Sequence, residues 1–124
     1  MSDVPVADGE IILRHIPGGT TFQAPGPRLT SINFQVRTAT GETGVSVTRK
    51  AMMNPDEFLA WVGADIAKGS RIATATAGDI LALGLQVVPD PLSDNPGHAE
   101  IRSGSASLSD RDTRRRLANL FQFT

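Results

Sequence analysis

Two histidines, His15 and His98, are the residues best suited to chemistry in this 124-residue chain. Imidazole is the one side chain whose resting pKa lies near neutrality, so it can take or give a proton under ordinary conditions. Each histidine borders a proline-rich loop: His15 ends an apolar stretch before Pro17-Gly18-Gly19, and His98 follows the run Pro89 to Gly97. A site at the mouth of these loops would draw on His15, His98, Glu100, Arg14, Asp90 and Asp94. The plainer reading, and the preferred one, has His98 capping a turn and His15 half-buried at a strand end, because histidines with partners are often structural.

Other chemistries find less support. His98-Ala99-Glu100 puts an imidazole and a carboxylate on one face of a strand, so His98 and Glu100 are the candidates for holding a metal ion. A zinc-like site needs three or four ligands, and the third would have to come through space from His15 or Asp90; no metal and no cofactor is expected. Cysteine and tyrosine are absent. The serines Ser31, Ser46, Ser103 and Ser105 lie in no Gly-x-Ser-x-Gly elbow and no Ser-x-x-Lys frame, so nucleophilic catalysis is set aside. Gly18-Gly19 opens no helix and there is no Gly-x-x-x-x-Gly-Lys, which removes the phosphate-cradling loops. Arg111, Arg114, Arg115 and Arg116 gather near the C-terminus beside Asp110 and Asp112. The pairs Asp110–Arg114 and Asp112–Arg116 have helical spacing, so a solvated, self-paired face is preferred to a nucleic-acid patch; an acidic protein partner stays open.

Twelve basic residues against thirteen acidic ones leave no positive excess of the kind nucleic-acid binders carry. A chain of 124 residues without cysteine suits one domain that folds without staples in a reducing, cytoplasmic setting. Its apolar stretches, Ile11 to Leu13 and the Gln86-interrupted Leu85 to Val88 among them, are far short of the roughly 20 residues that span a bilayer.

The elements that must position the candidates follow from patterning. Residues 1–9 read as a loose terminus, and residues 10–124 as one globular domain. Strands are expected over Glu10–Ile16, Ile32–Arg37, Val45–Thr48, Ile72–Ala75, Leu85–Val88 and His98–Arg102. Ile32–Arg37 and Val45–Thr48 both alternate apolar and polar residues and read as one hairpin. Asn54, Pro55 and Glu57 make a capping box with proline at the first helical position, opening a helix whose apolar face is Phe58, Leu59, Trp61, Val62 and Ile66 and whose end is Lys68-Gly69. Met52-Met53 before it reads as a hydrophobic staple, and Trp61 as core. Thr76 caps a short helix ended by Gly84, and Ser109 caps a last one with Leu117, Leu120 and Phe121 inward. The fold class is α+β, a mainly antiparallel sheet with about three helices packed on it.

Two stretches carry a resemblance. Leu13-Arg14-His15-Ile16-Pro17 with Ser31-Ile32-Asn33-Phe34 and Gly44-Val45-Ser46-Val47, and then Leu83-Gly84-Leu85-Gln86-Val87-Val88-Pro89-Asp90-Pro91 with Asn95-Pro96-Gly97-His98-Ala99, are similar to a group of small bacterial proteins. The resemblance covers about two-thirds of the chain, and it implies a bacterial source. No activity is assigned to that group, so it implies no catalytic residue and no ligand. Because the chain carries too few reactive side chains for a catalytic set, the expectation is a non-catalytic interaction module, an accessory subunit working with another protein, encoded by a neighbouring gene. The alternative is a small enzyme or ligand-binding domain using His15, His98 and Glu100 for acid–base or nucleotide and phosphodiester chemistry.

Overall fold

The computed structural model describes residues 5–16, 29, 34, 36, 44–63 and 71–123. Its elements, in chain order, are β1 (Ile11–Ile16), β2 (Val45–Arg49), α1 (Pro55–Val62), β3 (Arg71–Thr76), α2 (Ala77–Ala82), β4 (Leu85–Pro89), β5 (His98–Ser103), α3 (Arg111–Leu120) and β6 (Gln122–Phe123). The strands form one sheet in the order β4-β5-β2-β1-β3-β6, and every neighbouring pair is antiparallel. With three helices packed on it, this is the α+β architecture that the strand and helix signals imply.

Because side chains alternate across a strand, the register sorts the sheet into two faces. Ile12, Ile16, Val45, Val47, Ala73, Ala75, Leu85, Ala99 and Ile101 point one way and form the larger core with Ile80, Leu117 and Phe121. Phe34 also enters this core and meets Phe121 with ring centres 5.0 Å apart. On the other face Leu13 and Ile72 form a smaller core with Met53 and Phe58, at the foot of α1. The half of that second face over β5 and β2 carries polar residues: Ser46, Thr48, His98, Glu100 and Arg102.

The start of α1 matches the capping expectation. Asn54 Oδ1 accepts from the Glu57 N–H at 2.9 Å, and Glu57 Oε1 accepts from the Asn54 N–H at 3.2 Å. Met53 and Phe58 pack together as a staple. The helix ends earlier than Lys68-Gly69, at Gly63, whose φ of 73° closes it in the left-handed region. Ile66, Lys68 and Gly69 lie outside the described residues.

The expected hairpin of Ile32–Arg37 with Val45–Thr48 involves residues of which only Phe34 and Val36 are described; the rest of Ile32–Arg37 lies outside the described residues. Two further expectations change. The last helix is capped by Asp110, not Ser109: the Asp110 carboxylate accepts from the Asp112 N–H and from Thr113 Oγ1. That helix ends at Leu120, and β6 then pairs with β3, a strand the sequence did not suggest.

The described part of the terminus is tied down. Arg49 is buried and grips Glu10 in a two-pronged ion pair, Nε to Oε1 at 2.8 Å and Nη2 to Oε2 at 2.7 Å. Arg49 Nη2 also donates to Pro5 O, and the Gly78 N–H donates to Asp8 O at 2.7 Å. Residues 1–4 lie outside the described region.

Candidate functional site

The run Pro89–Gly97, so rich in turn formers, is the folded tip of the β4–β5 hairpin. Leu92 and Asn95 exchange backbone hydrogen bonds across it, and its base is closed by the Asp90 N–H donating to His98 O at 2.9 Å. Asn95 is fully buried and holds the tip to the sheet, with Nδ2 donating to Thr48 Oγ1 at 2.9 Å and Oδ1 accepting from the Gly97 N–H at 3.1 Å. A side chain at Gly97 would press on Arg49 O and Met52 Cβ, both 3.0 Å from where a Cβ would stand, so glycine lets the tip lie this close without displacing them. The tip thereby sets Asp90 beside His98 at the start of β5.

His98 is 7% exposed and both of its ring nitrogens are engaged. Nδ1 lies 2.9 Å from Asp90 O and 3.2 Å from Asp90 Oδ2. Nε2 lies 3.0 Å from Ser46 Oγ, on the neighbouring strand β2. A carbonyl and a carboxylate oxygen can only accept, so Nδ1 must carry a proton. In the neutral ring Nε2 then holds the lone pair, and the Ser46 hydroxyl donates to it. Asp90, His98 and Ser46 form a relay of orienter, base and hydroxyl, the arrangement that activates serine nucleophiles on unrelated folds. Ser46 is exposed, and the Trp61 ring flanks the relay at 6.4 Å from the imidazole.

The setting-aside of nucleophilic serines is reopened by this contact. It rested on the lack of a local motif, whereas Ser46, His98 and Asp90 meet through space. Alternation in Val45-Ser46-Val47-Thr48 was enough to put Ser46 on a polar face, but nothing in it shows that β5 lies alongside.

The other candidates divide. Glu100 pairs directly across from Ser46 and is held by Arg102, whose Nε and Nη2 reach Glu100 Oε1 at 2.9 and 2.8 Å. It borders the relay without joining it. As metal ligands, His98 and Glu100 would have to give up these partners, and no group of three ligating side chains stands together among the described residues. Asp94 is exposed on the hairpin tip. Arg14 faces the larger core, over the Phe34 ring at 5.8 Å, and its Nη1 donates to Ser46 O at 2.7 Å.

That last contact marks a break in the sheet. The β1–β2 ladder has only two pairs, Ile12–Arg49 and Leu13–Thr48, although β1 continues to Ile16 and pairs with β3 over its whole length. Beyond Leu13 the guanidinium of Arg14 takes the Ser46 carbonyl in place of a strand partner. His15 follows, on the same face as Ser46, and pairs with Ile72 of β3. Its Nε2 is buried with no hydrogen-bond partner. Desolvation, and secondarily the charge of Arg14, push its pKa below the usual 6.5.

At the C-terminal helix, Arg116 pairs with Asp112 at 3.1 Å as the spacing implies. Arg114 instead donates to Leu108 O at 2.8 Å, while Arg111 and Arg115 are exposed. No helix among the described residues is long and apolar enough to cross a membrane. Comparison with protein families, curated proteins and solved structures finds no match to this chain.

Proposed function

We propose that this domain is a small serine hydrolase acting on esters, with Ser46 as nucleophile, His98 as general base and acid, and Asp90 as orienter. One observation carries the reading. His98 Nδ1 faces two acceptors on Asp90, which fixes the tautomer and turns the Nε2 lone pair onto an exposed hydroxyl. The interaction-module expectation rested on a shortage of reactive side chains, and the relay removes that motive.

In the proposed reaction Ser46 Oγ adds to the ester carbonyl carbon while its proton passes to His98 Nε2. The C–O bond of the alcohol breaks and the leaving oxygen takes the proton from Nε2. A water, deprotonated by Nε2, then adds to the acyl-serine carbon; Ser46 Oγ leaves with that proton and the carboxylic acid is released. Asp90 has its side chain 45% exposed, so solvent weakens its hold on the imidazole, and an ester with a good leaving group suits the site better than an amide. Trp61 offers an apolar wall for the acyl part.

A fluorophosphonate tests this without knowledge of the substrate. Ser46 Oγ should bond to phosphorus, fluoride should leave, and the serine proton should pass to His98. Intact-mass and peptide analysis is expected to find one adduct, on Ser46, that Ser46→Ala abolishes. A protein that stays unmodified, or an adduct that persists in Ser46→Ala, would refute the assignment.

A further inference from the structure

We infer that Arg102 sets the substrate class of the Ser46 site by binding a carboxylate on the alcohol part of the ester; this rests on the hydrolase reading above. The β2–β5 register pairs Thr48 with His98, Ser46 with Glu100 and Val45 with Ile101, and its next step sets Gly44 opposite Arg102. Ser46 therefore has a diagonal neighbour on either side, His98 and Arg102, both on its own face of the sheet. His98 shows that side chains span such a step here, since its Nε2 reaches Ser46 Oγ at 3.0 Å. Arg102 leans toward β2 as well. A Cβ placed on Gly44 would stand 3.0 Å from Arg102 Cγ and 3.2 Å from Glu100 Cβ, so the arginine stem lies over the space that this glycine leaves open.

The guanidinium is oriented before any ligand arrives. Its Nε and Nη2 both donate to Glu100 Oε1, at 2.9 and 2.8 Å, and this fixes one edge of the plane. The other edge, Nη1 with the second proton of Nη2, bonds to no described residue, and the side chain is 39% exposed. Two parallel N–H groups in a rigid plane match the two oxygens of a carboxylate. Trp61 stands on the His98 side of Ser46 and walls the acyl part, so the end of the ester that runs toward Arg102 is the alcohol. The class that fits both sides is an ester of an apolar acid with a hydroxy acid.

Two esters with the same acyl group test this: para-carboxyphenyl butyrate, and para-carbamoylphenyl butyrate, which lacks the charge. Arg102→Leu should raise the KM of the charged ester by about tenfold, as loss of a charge-assisted hydrogen bond does, and change that of the neutral ester by under about threefold. Arg102→Lys should recover part of the loss. The discrimination should also disappear when Arg102→Leu is combined with Glu100→Gln, where no bare carboxylate is left to repel the ester. If the double variant still favours the charged ester as the native protein does, the effect of Arg102→Leu is repulsion by Glu100 and the assignment falls. A protein that labels at Ser46 with the fluorophosphonate but treats the two esters alike, or cleaves neither, would overturn the role of Arg102 while leaving Ser46 as nucleophile. Failure to label at Ser46 would instead remove the hydrolase reading itself, and this role with it.

Discussion

Replacing His98 with glutamine is expected to slow fluorophosphonate labelling of Ser46 by about 10²- to 10⁴-fold, the range that a positioned general base contributes. Glutamine can still donate to Asp90 O and so keep the base of the β4–β5 hairpin, but its amide cannot take a proton from Ser46 Oγ. Asp90→Asn should do far less, slowing the reaction under about tenfold. The reason is geometric: the shorter of the two Nδ1 contacts is to the Asp90 backbone carbonyl at 2.9 Å, which no substitution of the side chain removes. Labelling rates followed by mass, with circular dichroism to show that each variant is folded, decide the matter. A His98→Gln protein that labels at the native rate would show that the Ser46–His98 contact is structural.

The largest expected effect on stability is at the other end of β2. Glu10→Gln removes the two-pronged carboxylate partner of the Arg49 guanidinium, 3% exposed at its side chain, and should cost about 2 kcal/mol, as loss of hydrogen bonds to a charged group does. Against a typical total of about 5–15 kcal/mol that is a large fraction. The effect has a pH signature. The hydrogen bonds and charge of Arg49 hold the Glu10 carboxyl below its usual 4.5, against the opposing effect of burial. A depressed carboxyl pKa means that the unfolded chain binds more protons, so the contribution is whole above about pH 4.5 and is lost as the pH falls through the folded-state value. His15 acts in the same direction at higher pH: its lowered pKa contributes stability above 6.5 that fades on acidification below it. Urea midpoints at pH 7 and pH 3.5 should differ less in Glu10→Gln than in the native chain. A loss under about 1 kcal/mol at pH 7 would mean that the pair is solvated in solution.

Local signals carried much of this fold into the sequence. Asn54, Pro55 and Glu57 announce α1 because a capping box is closed within four residues, β1 and β4 announce themselves through apolar and β-branched residues, and β5 through its extended alternation. Signals fail where the partner is remote. Alternation in β2 says only that a strand has two unlike faces; it does not say that β1 and β5 lie beside it. Gly63 ends α1 before Lys68-Gly69 because a left-handed glycine satisfies the last carbonyls wherever the chain first offers one. The candidate site divides in the same way. His98, Asp90 and Glu100 were legible because imidazole and carboxylates advertise their chemistry. Ser46 was not, because a strand serine is ordinary until the register sets His98 one diagonal step away. His15 was legible as a residue, but the burial of its Nε2 without a hydrogen-bond partner shows only in the fold.

The relay depends on which nitrogen of His98 bears the proton. Nitrogen-15 NMR of the imidazole in the neutral state reads this directly, by the separate resonances of a protonated and an unprotonated ring nitrogen, assigned with Ser46→Ala as reference. The relay predicts a protonated Nδ1, an unprotonated Nε2, and an Nε2 resonance that moves when the Ser46 hydroxyl is removed. A neutral ring protonated at Nε2, or one indifferent to Ser46→Ala, would contradict it and leave His98 as a turn-capping residue.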